Sequence, residues 1–134
     1  MGVDIYSVRL GWGGAWLGPD VRITTAADIL DDFATDLAWN PQSGRYLLIR
    51  SKDLQELYGR DVYGQWLSAG GQPLGSGFRI IQPKDTPEQD ATDDTSGTLA
   101  YDSVNNRYLV AWSDYRLAGT QNLNIDIWGR LVNG

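Results

Sequence analysis

The chain contains neither cysteine nor histidine. Without cysteine it can form no disulfide and offers no thiolate ligand to a metal ion. Without histidine it has no copy of the commonest general base, which is also the usual partner of a nucleophilic serine or cysteine and the commonest zinc ligand. These two absences exclude the histidine-dependent triads and thiolate metal sites. We therefore expect a protein that is not an enzyme.

Positive charge is also scarce. Lysine and arginine number 11 against 17 acidic residues, which gives a formal net charge of −6, and only Lys52 and Lys84 are lysines. An acidic chain is a poor partner for nucleic acid, because phosphate binding needs a basic patch. No stretch approaches the roughly 20 apolar residues of a membrane helix, so we expect no membrane span. The start of the chain shows no signal peptide, and a secreted or cell-surface location stays open.

Glycine and aromatic residues are abundant. The 134 residues include 16 glycines, 6 tryptophans and 7 tyrosines. This composition is typical of an all-β domain with glycine-containing turns, and the length suits one domain spanning 1–134. Three stretches depart from a strand pattern. Residues 26–33 could form a short turn of helix, residues 52–60 have the character of a polar loop, and the acidic stretch 83–97 that of a long linker.

The sequence is built from a repeated unit. The segment "LAWNPQSGRYLLIRS" at 37–51 returns as "LAYDSVNNRYLVAWS" at 99–113. The segment "DVYGQWLSAGGQPLGSGFRI" at 61–80 has a counterpart, "DIYSVRLGWGGAWLGPDVRI", at 4–23, and "DIWGRLV" at 126–132 begins a third. Four strand types follow one another, A ("LAW"), B ("RYLL"), C ("DVYG") and D ("FRI"), in the order C-D, A-B-C-D, A-B-C. A repeated four-stranded antiparallel meander is typical of a β-propeller blade.

This pattern resembles a bacterial repeat that occurs in tandem in large, often surface-associated proteins of predicted β-propeller fold. The resemblance rests on "LAYDSVNNRYLVAWSD", "DIWGRLV" and "SAGGQPLGSGFRI" and covers nearly the whole chain. It implies about two four-stranded blades. Strands C and D of a composite blade then occupy 1–34, a complete blade occupies 35–90, and strands A to C of a composite blade occupy 91–134. In size and tryptophan content the chain is also similar to oligomeric two-blade propeller lectins.

Two blades cannot close a ring, because propellers need four or more. We therefore expect a symmetric homo-oligomer, in which a trimer would supply six blades and a tetramer eight. The terminal C-D and A-B-C parts should combine into a composite blade, either within one chain or between neighbours by strand exchange. Strand C occurs at both ends of the chain. Either the two copies compete for one place or one becomes an added edge strand, and the sequence leaves both open.

Five aromatic residues are candidates for ligand binding. Trp39 and Tyr101 occupy the same repeat position, and Trp112 occupies the position of Arg50 in the other copy. Such recurring aromatics either pack between sheets or stack against sugars in clefts between blades. The other two candidates, Trp12 and Trp16, lie in or beside a glycine-rich turn, where they either contact a ligand or subunit or pack locally.

The acidic residues predict structure more than chemistry. Asp4, Asp61 and Asp126 open every strand C, and a residue that recurs in all copies indicates a structural hydrogen bond. The stretch "DATDDTSG" at 90–97 is similar to a calcium loop but does not have the EF-hand spacing. We expect no cofactor and no metal site, with calcium the one candidate.

A non-catalytic binding module is the function that these patterns favour, with carbohydrate as the ligand. Two alternatives stay open. One is a purely structural or protein-interaction propeller, and the other is a hydrolase that uses paired carboxylates as acid and base.

Overall fold

The computed structural model describes residues 2–24, 31–53, 59–81, 93–115 and 125–134, apart from the side chain of Ser96. These residues form strands and turns and no helix, so the prediction of an all-β fold is confirmed. None of them belongs to a helix long and apolar enough to cross a membrane. The strands are β1 (Tyr6–Ser7), β2 (Val21–Arg22), β3 (Asp32–Asn40), β4 (Arg45–Asp53), β5 (Arg60–Ser68), β6 (Pro73–Arg79), β7 (Asp94–Asp102), β8 (Arg107–Asp114) and β9 (Asp126–Asn133).

The strands form three antiparallel sheets, and in each sheet the neighbours in space are neighbours in sequence. Strands β1 and β2 pair as the N-terminal hairpin. Strands β3 to β6 form the central sheet, which contains one strand of each type in the order A-B-C-D. Strands β7 to β9 form the C-terminal sheet, which contains types A to C. The predicted meander is confirmed in both larger sheets.

The turns between strands A and B are fixed by the side chain that precedes them. In the first copy, Oδ1 of Asn40 accepts hydrogen bonds from the backbone N–H groups of Gln42 and Ser43 at 2.9 and 3.1 Å. In the second copy, Asp102 accepts the equivalent bonds within its own turn. Gly44 closes the first turn with a φ of 64° and Asn106 the second with a φ of 49°. Glycine and asparagine are the residues that tolerate this conformation best.

The main core lies between the central and C-terminal sheets. Alternate residues of a strand point to opposite faces of its sheet, so each sheet contributes every second side chain to this layer. The buried members come from β4, β5 and β8, with Ile80 and Ile81 directly after β6. We call the two sheet surfaces that meet here the core faces. They carry Leu47, Ile49 and Val62 on the central sheet and Tyr108, Val110 and Trp112 on the C-terminal sheet.

The N-terminal hairpin packs on the opposite face of the central sheet, which we call the hairpin-side face. Ile5 and Ile23 form a second buried cluster with Leu48 and Leu67, and Tyr46 packs at its border. Burying each of these aliphatic side chains contributes about 1.5–3 kcal/mol. The three sheets therefore stack in the order hairpin, central sheet, C-terminal sheet.

Asp36 on β3 links the central and C-terminal sheets. Its Oδ2 accepts hydrogen bonds from the Thr98 hydroxyl and from the backbone N–H of Leu99, each at 2.9 Å. Its Oδ1 accepts a third from the N–H of Leu37 at 2.8 Å. Desolvation alone would raise the pKa of Asp36, but these hydrogen bonds outweigh it and hold the pKa below the ordinary aspartate value of 3.8. The ionised carboxylate is therefore the form that joins the sheets.

Asp36→Ala is expected to lower the free energy of unfolding by about 1–2 kcal/mol at pH 7, because two charge-assisted hydrogen bonds between sheets are lost. Since folding lowers this pKa, its stabilising effect is complete above the ordinary carboxyl pKa and disappears as pH falls through the lower folded value. The difference from the parent protein should therefore shrink between pH 5 and pH 3, which urea unfolding would measure. Asp20→Ala, at an exposed site, is the control. An equal loss at both pH values would contradict this account.

Several predicted boundaries differ from the structure. In the hairpin, the C-D unit expected at 4–23 pairs over only two residues a strand, with one further bridge between Leu10 and Trp16. Residues 26–30 of the helical-turn candidate and 83–92 of the linker candidate lie outside the described residues. The linker prediction is wrong for 94–97, which belong to β7, and the polar-loop prediction is wrong for Lys52, Asp53 and Arg60.

The wrongly predicted beginnings of the two type A strands, β3 and β7, have the same physical reason. Each begins with a buried aspartate, Asp32 or Asp94, and each has a shift in pairing register soon afterwards. A buried ionic start and a bulge both interrupt the alternation of apolar and polar residues on which the prediction of strand ends depends.

Candidate functional site

A cleft of about 300 Å³ opens between the N-terminal hairpin and the outer strands of the central sheet. Strands β4 and β5 form its floor, β6 forms one wall and the end of β2 the other. The described lining consists of one aromatic ring, two cations, three uncharged polar side chains and four apolar residues or glycines, namely Ile23, Thr24, Arg50, Lys52, Tyr63, Gln65, Pro73, Gly75, Ser76 and Gly77.

Tyr63 provides the aromatic surface of the cleft. The guanidinium carbon of Arg50 lies 5.9 Å from the centre of its ring, and Nζ of Lys52 lies 5.8 Å from the same point. Arg50 and Lys52 are two residues apart on β4, so both side chains lie on the hairpin-side face with Tyr63, which is the cross-strand partner of Arg50. Two cations therefore flank one aromatic ring.

Arg50 is held in place by a buried ion pair. Its Nη1 lies 2.5 Å from Oδ1 of Asp32, and the two side chains are only 10% and 1% exposed. An arginine that is ordered in this way keeps its remaining N–H groups in a fixed direction, and little conformational entropy is lost when one of them binds a ligand. The ion pair thus holds part of the floor of the cleft in position for polar contact.

The β5–β6 side of the cleft is shaped by a bulge. Gln65 is skipped in the pairing of β5 with β6, and its side-chain amide donates to the backbone carbonyls of Leu74 and Gly75 at 3.3 and 3.2 Å. Gly75 has a φ of 67°, a conformation that favours glycine. At Gly77, an added Cβ would lie 3.1 Å from Nη2 of Arg50 and 3.3 Å from Oε1 of Gln65. Glycine at this position leaves the cleft open.

The charge of the cleft differs from that of the whole chain. The chain has a net charge of −6, yet the described lining of the cleft includes two cations and no aspartate or glutamate. The carboxylate of Asp32 pairs with Arg50 and is not part of the described lining. Hydrogen-bond donors therefore dominate this surface, which suits a ligand rich in oxygen acceptors.

A paired aspartate and arginine recur where strand C meets strand D. Asp61 Oδ2 lies 2.6 Å from Arg79 Nε in the central sheet, and Asp4 Oδ1 lies 2.6 Å from Arg22 Nη2 in the hairpin. The hydrogen bond from Arg22 is the largest of the influences that lower the pKa of Asp4, and a bond from the Thr24 hydroxyl adds to it. These pairs fix the two strands of type D that wall the cleft, so Asp4 and Asp61 have the structural role that the sequence predicted.

The third aspartate of this series has a different environment. Asp126 begins β9, the last strand of the C-terminal sheet, and no strand of type D follows β9 in the described residues. Among those residues no lysine or arginine lies within ion-pair distance of Asp126, which is exposed.

The chain matches no family model, no curated protein and no solved structure. What the cleft can bind is therefore judged from the residues that line it.

Trp12 and Trp16 lie at the tip of the N-terminal hairpin. The turn is closed by hydrogen bonds from the N–H of Gly11 to the carbonyl of Ala15 and from the N–H of Gly14 to the carbonyl of Gly11. Trp12 is fully exposed and Trp16 is 69% exposed. Both are available for contact with a ligand or a subunit, and neither lines the cleft.

The other three predicted residues lie on the larger sheets and are not brought together. Trp39 is on the hairpin-side face, where its ring lies 4.6 Å from that of Tyr46. Tyr101 lies between the sheets, its ring centre 4.9 Å from that of Tyr108 and its hydroxyl 2.8 Å from Oδ1 of Asn40. Trp112 belongs to the core and is 5% exposed.

The cleft residues Arg50, Lys52, Tyr63 and Gln65 were not predicted as a site. The sequence does contain a signal for them. Residues two apart on one strand share a face of the sheet, and so do directly opposite residues on neighbouring antiparallel strands. The predicted candidates share an aromatic side chain, and that property alone does not tell which face of a sheet a residue lies on. For metal binding, no three acidic side chains of the described residues converge as ligands. The calcium candidate at 90–97 lies partly outside those residues.

Proposed function

We propose that this chain is a non-catalytic binding module of the β-propeller type, and that it binds carbohydrate in the cleft between the N-terminal hairpin and the central sheet. The observation that carries the proposal is the lining of that cleft. Tyr63 supplies an aromatic face, while Arg50, Lys52 and Ser76 surround it with hydrogen-bond donors. A sugar ring has an apolar C–H face and a rim of hydroxyl groups, and these two features match such a surface.

The size of the cleft is consistent with a small ligand. A volume of about 300 Å³ lies at the lower end of the range for small-molecule sites, which suits one or two sugar units. Its position between two sheets is also the layout of the two-blade propeller lectins to which the chain is similar in size and tryptophan content. Since no carboxylate belongs to the described lining, a hydrolase that uses two carboxylates in this cleft is disfavoured.

The β-propeller part of the proposal is supported by the stacking of the sheets. The central sheet is a four-stranded antiparallel meander, and it packs face to face with a second sheet of the same strand order. Three or four copies of the chain would supply the six or eight blades of a closed ring. The N-terminal hairpin and the C-terminal sheet would then share one composite blade, as the repeat order suggests.

A purely structural or protein-interaction role is the alternative, and a separate observation favours it. Large apolar side chains are exposed at both ends of the stack of sheets, among them Trp12 on the hairpin and Ile127 on the C-terminal sheet. Exposed apolar patches of this kind are typical of surfaces that contact other proteins.

Tyr63→Ala tests the proposal. We expect the parent protein to bind neutral or acidic glycans on an array, and the variant to lose about fivefold or more in affinity, because stacking on an aromatic ring contributes on the order of 1 kcal/mol or more. Isothermal titration calorimetry with the best glycan measures the loss. Tyr6→Ala is the matched control, because Tyr6 occupies the same repeat position, is 55% exposed and lies outside the cleft.

Two results would contradict the proposal. Silence of the parent protein on the array would leave the interaction role as the better account. Glycan binding that Tyr63→Ala does not weaken, in a variant whose circular dichroism matches that of the parent, would place the carbohydrate elsewhere, and Trp12→Ala would then be the next variant to examine.

A further inference from the structure

The two outermost faces of the larger sheets are both apolar and exposed. On the C-terminal sheet, the face opposite the core face, which we call the outer face, carries Leu109, Ile127 and Leu131, which are between 51% and 73% exposed. On the central sheet, the hairpin covers only the part of the hairpin-side face near Leu48 and Leu67. The part on β3 stays exposed, with Leu37 at 49% and Trp39 at 40%.

The outer face repeats the core face of the central sheet. Leu109 occupies the repeat position of Leu47, and Ile127 occupies that of Val62. Leu47 and Val62 are both buried against the C-terminal sheet. The outer face therefore has the same strand positions, and the same apolar character, as a surface that is already known to pack against another sheet.

The hairpin-side face likewise repeats the core face of the C-terminal sheet. Trp39 occupies the position of Tyr101, and Leu37 occupies that of Leu99. Tyr101 and Leu99 both pack into the core between the sheets. The two exposed faces thus repeat, position by position, the two halves of the contact that joins the central and C-terminal sheets within the chain.

We infer that the outer face of one copy docks on the exposed part of the hairpin-side face of a second copy. The occupant is a second copy because the complementary half of this contact is present in the chain itself, in the same registers and on the opposite side of the stack. The two faces point in opposite directions, so they cannot meet within one chain. The contact is therefore heterologous, with a head (Leu37 and Trp39) and a tail (Leu109, Ile127 and Leu131). The inference rests on the proposed assembly and names the surfaces that form it.

The position of the docked sheet follows from what the hairpin already covers. Ile5 and Ile23 cover the part of the hairpin-side face that Leu48 on β4 and Leu67 on β5 form. The incoming sheet must therefore lie beside the hairpin, over β3 and the start of β4, where Trp39 and Tyr46 are in ring contact. The hairpin of one copy and the C-terminal sheet of the next would then lie side by side and form the composite blade that the repeat order requires.

Two charged variants test the inference by complementation. Trp39→Arg blocks the head and Ile127→Arg blocks the tail, and both sites are exposed, so each variant should fold. Native mass spectrometry is carried out at about 1–100 µM, a range that brackets the dissociation constants of modest interfaces. It should show a closed oligomer for the parent chain and monomers for each variant. In a 1:1 mixture, one intact head meets one intact tail, so the expected species is a heterodimer with nothing larger. Val104→Arg, in the exposed β7–β8 turn, is the control and should assemble as the parent does.

The inference is overturned by the oligomeric states that follow. A parent chain that stays monomeric over the whole range has no such contact. Variants that still assemble alone, or that fail to form a heterodimer when mixed, show that these two faces do not meet. Glycan titration of the monomeric Ile127→Arg variant separates this inference from the proposed function, because the cleft lies within one chain. Heterodimers without glycan binding would remove the proposed function and leave the docking contact in place.

Discussion

Arg79→Met is expected to lower the free energy of unfolding by about 3–5 kcal/mol. Asp61, the partner of Arg79, has no exposed side-chain surface, and their ion pair measures 2.6 Å. Removing the guanidinium leaves a carboxylate in the interior without its cation, and the cost of its desolvation is then no longer offset. Urea unfolding followed by tryptophan fluorescence measures the loss, and the expected size is a large part of the stability of a domain of this length.

The chain contains its own control for this experiment. Arg22→Met breaks the equivalent pair with Asp4, where the two side chains are 32% and 24% exposed. Because water can solvate the remaining carboxylate, we expect a much smaller loss there. Equal losses at the two sites would show that burial is not the reason for the effect. A double variant, Asp61→Asn with Arg79→Met, should recover part of the stability, since it removes the buried charge as well as its partner.

Gly64→Ser has the second largest expected effect, a loss of about 2–3 kcal/mol from overpacking. A Cβ atom at Gly64 would lie 2.6 Å from Cζ of Phe78 on the neighbouring strand, closer than two carbon atoms can approach. The aromatic ring of Phe78 lies directly over the glycine, and both residues belong to the rigid pairing of β5 with β6. The side chain or the strand must therefore shift to admit the new atom.

The N-terminal hairpin suggests the compensating change. There Ser7 is paired with Val21, at the repeat positions of Gly64 and Phe78. Phe78→Val alone should cost about 2 kcal/mol through lost burial. The double variant Gly64→Ser with Phe78→Val recreates the hairpin pair, so its loss should be clearly less than the sum of the two single losses. Additive losses, measured by chemical unfolding of all four proteins, would contradict the steric explanation.

Much of the fold could be predicted from the repeat. The repeated segments at 37–51 and 99–113 predicted a type A strand followed by a type B strand, and both copies form that pair. The beginnings of the type A strands could not be predicted, because Asp32 and Asp94 are charged residues that the fold buries. A sequence pattern treats such residues as exposed, whereas the ion pair with Arg50 allows Asp32 to be buried at the start of β3.

The candidate site was harder to predict, and one repeat position shows why. Arg50 and Trp112 occupy equivalent places on β4 and β8, and both point to the same side of their sheets. Trp112 meets the central sheet and is buried, while Arg50 meets the short N-terminal hairpin and lines an open cleft. The sequence predicted that the two positions are equivalent, but the difference between core and cleft is decided by the neighbouring sheet. That information lies in the stacking order and not in the local pattern.

The meander order also governs how the chain can fold. Each strand of the larger sheets pairs with the next strand in sequence, across turns as short as that from Asn40 to Arg45. Contacts of such small sequence separation cost little loop-closure entropy, so each meander can form early and on its own. The bonds of Asp36 to Thr98 and Leu99, which join residues more than 60 positions apart, belong to a later docking step. Substitutions within a meander should therefore change the folding rate, and those between the sheets should mainly change the unfolding rate.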